Sequence, residues 1–307
     1  MSPLPFGSKT TADQVLAGID LQGRTALVTG ANIGIGYETA RALSHAGARV
    51  IFACRNPQRG KDAVMRSNAD EPRGRGELMN LDLGQLSAVA ESVRALDLER
   101  LDMLVCNAGI YPGAYRQTAD GFEETVGVCH IGHFLLFLLL LPALEQSDDA
   151  RVVMVSSESH RMPRTLDFDR LPLTQKDYGQ NIAYGQAKLC NVLMANEIER
   201  RFGEPGASGA AAIHGYSLHP GTLVTTGIGR NSLLARVAVQ LSRPFTKTAA
   251  QGAATSVMCA AHPELREGGG RYYVNCQPGR ASREGNHPEV AARLWERSRE
   301  WVADYLR

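Results

Sequence analysis

The sequence predicts an α/β protein with a doubly wound, mostly parallel sheet that helices cover on both faces. Three observations support this fold class. Apolar, β-type runs alternate with helical segments along most of the 307 residues, and parallel strands need such helical crossovers. Apolar residues make up 44% of the chain and charged residues 21%, which supports a full core. The chemically suggestive motifs all follow strand-like runs, at the ends where sheets of this kind bind ligands.

The predicted elements begin with a strand over 24–30 (RTALVTG) and a helix over 35–47 with helical apolar spacing. A second strand over 48–54 (ARVIFAC) precedes a helix that Pro57 opens. Helical segments separate the remaining predicted strands, which lie at 76–82, 101–109, 150–157, 211–221 and 270–276.

The length suits one large domain. We expect residues 1–20 to form an N-terminal extension and residues 21–307 to form a single domain. Within that domain, the substrate-side elements are expected at about 158–182 and 222–247.

Composition and charge exclude several classes of function. The formal net charge of +1 gives no reason to expect a nucleic acid partner. The six cysteines are spread out without a CxxC pattern, which favours buried, reduced thiols and a cytoplasmic location. The apolar run 134–144 (FLLFLLLLPAL), flanked by His130 and His133, is about half the ~20 residues that a membrane span needs, so we expect a buried helix and no membrane span.

The stretch TGANIGIG (29–36) lies between a predicted strand and a predicted helix, with glycines at 30, 34 and 36. Glycines let the backbone approach a pyrophosphate, and the helix that starts near Ile35 points free N–H groups and its positive dipole end at it. A simple tight turn is the alternative. The strand–turn–helix context favours a dinucleotide site.

The residue after the second strand indicates which dinucleotide is bound. NAD-dependent proteins place a carboxylate there for the ribose 2′-hydroxyl, whereas this chain has Cys54 and Arg55 in the stretch FACRN. A guanidinium suits a 2′-phosphate, so NADP(H) is expected and NAD(H) is less favoured. Further cofactor contacts are expected after the third and fourth strands, from Asp82, Leu83, Asn107, Ala108 and Gly109.

The stretch YGQAK places Tyr184 and Lys188 one helical turn apart on one face. A phenol ordinarily titrates near 10, so its use as an acid–base group near neutrality needs a neighbouring positive charge. Lys188 would supply that charge. Upstream, the strand VVMVSS ends in Ser156 and Ser157, and a hydroxyl there could hold a substrate carbonyl oxygen against Tyr184.

In their order and spacing, TGANIGIG, NAG, VSS, YxxxK and HPG (219–221) resemble the short-chain dehydrogenase/reductase family, over about residues 20–305. Within it, ACRN, VSSESHR and AYGQAKLCNVL look like the branch of WW-domain-containing oxidoreductases and retinol dehydrogenases. The resemblance implies a Rossmann-type fold and oxidoreductase activity on an alcohol, ketone or aldehyde.

The resemblance also implies residue roles. Tyr184 would be the general acid/base, Lys188 would lower its pKa and bind the nicotinamide ribose, and Ser157 would orient the carbonyl. The implied cofactor-binding set is Gly30, Asn32, Ile33, Gly34, Ile35, Gly36, Arg55, Asp82, Leu83, Asn107, Ala108, Gly109, Tyr184, Lys188, Pro220, Gly221 and Thr222. No metal is expected.

Two departures from the family pattern bear on activity. Cys129 stands where relatives carry an asparagine that the family uses in a proton relay, and a thiol is a poor hydrogen-bonding substitute. Ile33 stands where relatives often carry a serine in the glycine loop. The alternative function is therefore an NADP(H)-binding sensor or interaction module with little turnover.

The substrate is expected to be a lipophilic or bulky small molecule, because YPGAY (111–115) and the 222–247 region are apolar. Simple packing of these segments is the alternative. The helical segment 117–144 could form a homodimer face, as in many relatives, or lie against the chain's own C-terminal segment (287–306).

Overall fold

Eight strands form one sheet in the order β3-β2-β1-β4-β5-β6-β7-β8. The computed structural model describes residues 4–70, 73–206, 211–221, 247–266 and 268–306. The strands are β1 Thr25–Thr29, β2 Arg49–Cys54, β3 Arg75–Asn80, β4 Met103–Cys106, β5 Ala150–Val155, β6 Ile213–His219, β7 Arg271–Val274 and β8 Gln277–Gly279. Strands β1 to β7 all run parallel to one another, and β8 pairs antiparallel with β7.

Helices lie on both faces of this sheet, which confirms the predicted doubly wound α/β class. They are α1 Ala12–Val15, α2 Gly34–His45, α3 Pro57–Ala69, α4 Leu86–Arg94, α5 Glu124–Val126, α6 Gly132–Leu144, α7 Gln180–Phe202, α8 Ala249–Ala261 and α9 Pro288–Val302. One core cluster joins the sheet to α4, α6, α7 and α9, and the other joins it to α1, α2, α3 and α8. The strand order reverses between β1 and β4, where open sheets of this kind bind ligands.

Apart from β2, which ends at the predicted Cys54, the predicted strands end one to three residues early. Strand β4 ends at Cys106 and β5 at Val155, so the NAG turn and both serines lie just beyond the sheet edge. The short strand β8 was not predicted. It follows a two-residue turn in which Asn275 (φ 55°) and Cys276 (φ 59°) both adopt the left-handed region. A cysteine there is an unusual choice, so the sequence does not indicate a hairpin.

The apolar helix predicted at 134–144 is buried against the C-terminal helix α9. A π-helical turn, Gly127–Ile131, joins α5 to α6. The combined helix is long and apolar enough to cross a membrane by length and composition, but 78% of its most apolar window is buried inside the protein. The ring of Trp295 in α9 lies 4.9 Å from Phe134 and 5.9 Å from Phe137, between centroids. The helix therefore lies against the chain's own C-terminal segment, which was one of the two alternatives. A homodimer stays a prediction.

All six cysteines are buried and unpaired, as expected from their spacing. Residues 4–20 also pack closely, since Ala12, Val15 and Leu16 belong to a core cluster. The predicted substrate-side element at 158–182 contains two short 3-10 helices, Glu158–Arg161 and Phe168–Arg170. The other predicted element, 222–247, lies outside the described residues except for Lys247.

Candidate active site

The glycine loop leads from β1 into α2 with backbone geometry that requires its glycines. Gly30 (φ +66°) and Gly34 (φ +62°) both occupy the left-handed region. At Gly36 a Cβ atom would lie 2.4 Å from the Gly30 oxygen and 2.4 Å from Asn107 Nδ2, so a larger residue does not fit. Ile33 precedes α2 with an extended backbone and makes no side-chain cap. The N–H groups of the first helical turn therefore face the loop without a side-chain acceptor, as a phosphate site requires.

A buried hydroxyl joins this loop to the NAG turn after β4. Thr29 Oγ1 accepts the N–H groups of Asn107 and Ala108, both at 2.9 Å. Its own proton can then be donated to His133 Nε2 at 2.8 Å, while His133 Nδ1 donates to the Cys129 carbonyl at 3.0 Å. This assignment makes His133 neutral. The network fixes the NAG turn against β1 and the helix of Cys129.

The residues that follow β2 and β3 lie at the carboxyl ends of these strands, beside the glycine loop that follows β1. Arg55 follows β2 directly and is exposed, and it makes no hydrogen bond or ion pair with the residues that the structure describes. Asp82 Oδ1 accepts the Gly84 N–H at 2.9 Å, which shapes the turn before α4. Leu83 is buried beside it. Of the predicted contacts in this region, Arg55 and Asp82 therefore reach the surface, whereas Leu83 packs inward.

Tyr184 and Lys188 lie one turn apart in the first part of α7, with their side chains close together. Lys188 Nζ lies 5.6 Å from the centroid of the Tyr184 ring and donates to the Val155 carbonyl at 2.9 Å. Asn191 Nδ2 donates to the same carbonyl at 3.1 Å. The lysine is 3% exposed, so its ammonium group is held at the end of β5 instead of extending into solvent. A Cβ atom at Gly109 would lie 3.2 Å from Nζ, which shows how closely the NAG turn approaches.

The two serines after β5 have different environments. Ser156 is buried, and its Oγ donates to the Lys188 carbonyl at 2.7 Å, which ties β5 to α7. Ser157 is half-buried, and its Oγ accepts the Ser159 N–H at 3.3 Å and lies 3.4 Å from Ser159 Oγ. Because these last two distances are long, the Ser157 hydroxyl is the one that can turn toward a ligand.

Cys129 lies in the π-helical turn and is fully buried next to the lysine. Burial raises the pKa of the Cys129 thiol, while the charge of Lys188 and the Ile110 N–H act in the opposite direction. A Cβ atom at Gly109 would lie 3.5 Å from Cys129 Sγ as well as close to Lys188 Nζ, so both groups border the same space. π-Helical turns are frequent at functional sites.

Comparison with known proteins shows the family to which this fold belongs. The family profile described as short chain dehydrogenase matches residues 24–166. A WW domain-containing oxidoreductase from Danio rerio is 42% identical over 99% of this chain and 74% of the relative. This chain belongs to the short-chain dehydrogenase/reductase family. Retinol dehydrogenase 12 from Mus musculus is 38% identical over 90% of this short-chain dehydrogenase/reductase and 85% of the relative.

Two solved structures share this fold. A crystal structure of an uncharacterised protein from Mycobacterium Paratuberculosis superposes with a TM-score of 0.75 at 31% identity, covering 94% of this chain and 97% of that one. A complex of Pseudomonas aeruginosa RhlG with NADP superposes with a TM-score of 0.64 at 25% identity, covering 83% of this chain and 95% of that one.

The site of this short-chain dehydrogenase/reductase fits the nicotinamide cofactor that the family binds. The uncapped start of α2 and the space enforced at Gly36 suit a pyrophosphate, and the close approach of Gly109 to Lys188 suits the nicotinamide ribose. Two further predicted contacts, Pro220 and Gly221 (φ +108°), form the turn after β6. Lys247 Nζ lies 3.4 Å from the Pro220 oxygen. The last predicted contact, Thr222, lies outside the described residues.

Aromatic side chains border the catalytic tyrosine candidate. The Tyr111 ring meets Tyr184 edge-on, with centroids 5.1 Å apart, and its hydroxyl is bonded to Asn181. Tyr178, the other tyrosine near this position, donates to the Pro112 carbonyl at 2.9 Å. Sequence reasoning missed several supporting residues of this short-chain dehydrogenase/reductase, namely Thr29, His133, Asn191 and Asn181. The position of Asn191, three residues after Lys188, was the one usable indication.

Proposed function

We propose that this protein is an NADP(H)-dependent oxidoreductase that interconverts an alcohol and a ketone or aldehyde on a lipophilic or bulky substrate. The observation that carries the proposal is the position of Lys188. Its ammonium group is buried between the Val155 carbonyl and the Tyr184 ring, next to Gly109 at the cofactor edge. A purely structural lysine has no reason to be buried beside a phenol with one carbonyl partner.

A nicotinamide cofactor held by the glycine loop and the NAG turn would supply the hydride that the carbonyl carbon gains in reduction. The Ser157 hydroxyl donates a hydrogen bond to the carbonyl oxygen, and Tyr184 delivers the proton that turns this oxygen into the alcohol hydroxyl. The ammonium of Lys188 favours the phenolate that remains. In oxidation the same groups act in the reverse order, with Tyr184 taking the alcohol proton.

The preference for NADP(H) rests on Arg55. The residue follows β2, is exposed, and stands where an NAD-dependent protein carries a carboxylate. Its guanidinium group suits the 2′-phosphate in charge and geometry. The structural similarity to an NADP complex of RhlG supports this choice.

The test compares wild-type protein with Tyr184→Phe in NADPH oxidation assays over a panel of lipophilic ketones and aldehydes. The phenylalanine variant should lose at least about 100-fold in kcat, the usual contribution of a positioned acid–base group. Its Kd for NADPH should stay within a few-fold. Tyr178→Phe is the matched control, because it removes a nearby tyrosine hydroxyl bonded to the Pro112 carbonyl. Near wild-type turnover in Tyr184→Phe would refute the mechanism.

A second candidate function is an NADP(H)-binding sensor or interaction module with little turnover. Cys129 favours this second function, because its thiol is buried at the relay position. The backbone carbonyl of Cys129 already accepts the His133 Nδ1–H group. Binding of NADPH without deuteride exchange on any ketone, unchanged in Tyr184→Phe, would support this function. Exchange that depends on Tyr184 would exclude it.

We also propose a cytoplasmic location and a small-molecule substrate without a nucleic acid partner. Six buried, unpaired thiols suit a reducing compartment. Fractionation of cells that express the tagged protein would test the location, and recovery in the membrane pellet would contradict it.

A further inference from the structure

His160 is a buried histidine next to the proposed carbonyl-binding serine, and the function proposed above gives it no role. It lies in the 3-10 helix Glu158–Arg161 that directly follows Ser157, and it is 0% exposed. Its Nδ1 atom lies 2.7 Å from the Ser157 carbonyl oxygen, and its Nε2 atom lies 3.0 Å from the backbone nitrogen of Ser282. The imidazole therefore bridges the substrate side of the site and the segment 280–286, which precedes α9.

The two partners determine the protonation state of this imidazole. A carbonyl oxygen only accepts, so His160 Nδ1 must carry a proton and donate it to Ser157. A backbone N–H only donates, so Nε2 must be unprotonated to accept from Ser282. The neutral Nδ1–H tautomer alone satisfies both bonds. A protonated imidazole would point a second N–H group at the Ser282 N–H and break that contact.

The charged and titratable surroundings of His160 come from three elements. Glu158 and Arg161 lie on its own 3-10 helix and pair with each other at 2.5 Å. The Tyr272 ring of β7 lies 4.9 Å from the His160 ring, between centroids. His219, at the end of β6, is close enough that a positive charge on His160 would disfavour a positive charge on His219. Burial lowers the pKa of His160, although the hydrogen bond to the Ser157 carbonyl opposes this effect.

The 280–286 segment offers His160 a fixed anchor. Glu284 Oε1 accepts the Leu166 N–H at 2.8 Å, which ties the segment to the substrate-side element. The Gly285 carbonyl accepts a hydrogen bond from Asn196 of α7 at 2.7 Å. Ser282 Oγ accepts the Gly285 N–H at 3.1 Å, so the segment is braced internally as well. A bond from His160 to Ser282 therefore connects Ser157 to a rigid part of the fold.

We propose that His160 is a positioning residue, which in its neutral Nδ1–H form ties the Ser157 backbone to Ser282 and so holds the Ser157 hydroxyl against the substrate carbonyl. Protonation of His160 releases Ser282 and loosens Ser157. The consequence for turnover rests on the proposed function, because it assumes that Ser157 binds the carbonyl. The tautomer and the bridge themselves do not depend on that function.

Two substitutions separate the two bonds. His160→Asn keeps an N–H donor for the Ser157 carbonyl, but its shorter side chain has no atom at the position of Nε2, which accepts from Ser282, and it does not titrate. His160→Phe keeps a ring against Tyr272 and removes both bonds. With phenanthrenequinone and NADPH as the probe reaction, His160→Phe should lower kcat/KM on the order of 10- to 100-fold, the size of effect that a small misplacement of a catalytic group produces. The Kd for NADPH should not change in either variant.

The pH profile is the measurement that a merely structural residue would not alter. Wild type should lose kcat as His160 gains its proton, with a midpoint below the ordinary imidazole pKa of about 6.5, because burial lowers the pKa of His160. His160→Asn should be as slow at pH 7 as wild type is once His160 is protonated, because it also lacks the bond to Ser282, and it should lack that acid limb. His214→Phe is the matched control, because it removes a histidine paired with Glu199 at the opposite end of β6. It should keep the wild-type pH profile.

Nitrogen NMR of the labelled histidines, with His160→Phe for assignment, tests the bridge without turnover. The His160 resonances should show the Nδ1–H tautomer at pH 7, and the Ser282 amide should exchange with solvent faster in His160→Phe. An Nε2–H tautomer, a cation at pH 7, or unchanged exchange at Ser282 would overturn the inference. An unchanged acid limb in His160→Asn would overturn its role in turnover. If wild type reduces no ketone, the proposed function fails, while the NMR result still decides the bridge.

Discussion

Lowering the pH from 7 to 5 should reduce the stability of this protein by about 4 kcal/mol through two histidines of the central apolar helix. Burial lowers the pKa of His130 to about 3 and that of His133 to about 4. Both imidazoles are fully enclosed, His130 bonded to Ser298 Oγ at 2.8 Å and His133 to Thr29 and the Cys129 carbonyl.

The sign of the effect follows from proton binding in the two states. An unfolded histidine has a pKa of about 6.5, so between that value and the lowered native values the unfolded chain binds protons that the folded chain does not. Stability from these two groups is therefore complete above about pH 6.5 and decreases as the pH falls. At pH 5 each unfolded imidazole has passed its pKa by about 1.5 units, which corresponds to about 2 kcal/mol for each histidine.

Urea unfolding of wild type and of the double variant His130→Gln/His133→Gln at pH 7 and pH 5 measures this quantity. The glutamines keep polar groups but do not titrate, so the loss of stability between the two pH values should shrink by about 4 kcal/mol. Phe134→Leu is the control, because it perturbs the same buried helix and should lower stability equally at both pH values. A double variant with the same pH dependence as wild type would refute the assignment of neutral, enclosed histidines.

Three further predictions concern the cofactor, the relay position and the C-terminal helix. Arg55→Asp should shift the ratio of kcat/KM for NADPH over NADH at least about 10-fold toward NADH, because a carboxylate repels the 2′-phosphate; an unchanged ratio would place Arg55 away from that phosphate. Cys129→Asn should raise kcat without changing the Kd for NADPH, because an amide restores both a donor and an acceptor; a lower kcat in a stably folded variant would mean that the site is built around the thiol. Trp295→Ala should lower the free energy of unfolding by about 3–5 kcal/mol, because its ring fills the space between Phe134 and Phe137. A loss below about 1 kcal/mol in chemical denaturation would show that α9 does not cover α6 in solution.

Features that depend on local spacing could be predicted from the sequence. The alternation of apolar strands and helices determines a parallel sheet, and the sheet determines where the motifs meet, since every carboxyl end lies at one edge. The pair Tyr184 and Lys188 was also predictable, because residues four apart on a helix share a face. The structure places these two side chains together, as that spacing predicts.

Features that join distant parts of the chain could not be predicted in this way. The bond between Thr29 and His133 spans 104 residues, and the bond between His160 and Ser282 spans 122. Neither sequence separation leaves a periodic pattern, because the partners meet only after the sheet has assembled. The sequence also could not show which of Ser156 and Ser157 has a free hydroxyl. That depends on the position of the Lys188 carbonyl, which accepts the hydrogen bond of Ser156.

The anchoring of Lys188 has a consequence for how this protein can diversify. Its ammonium group and its carbonyl are fixed by Val155 at the end of β5 and by Ser156 just beyond it, so the position of Lys188 depends on the buried junction between β5 and α7. Under the function proposed above, insertions, deletions and substitutions at 169–179 can therefore change which molecules enter, whereas His160 must be kept because it is proposed to position Ser157. Directed evolution for new substrates should concentrate its mutations at 169–179 and leave the β5–α7 junction untouched.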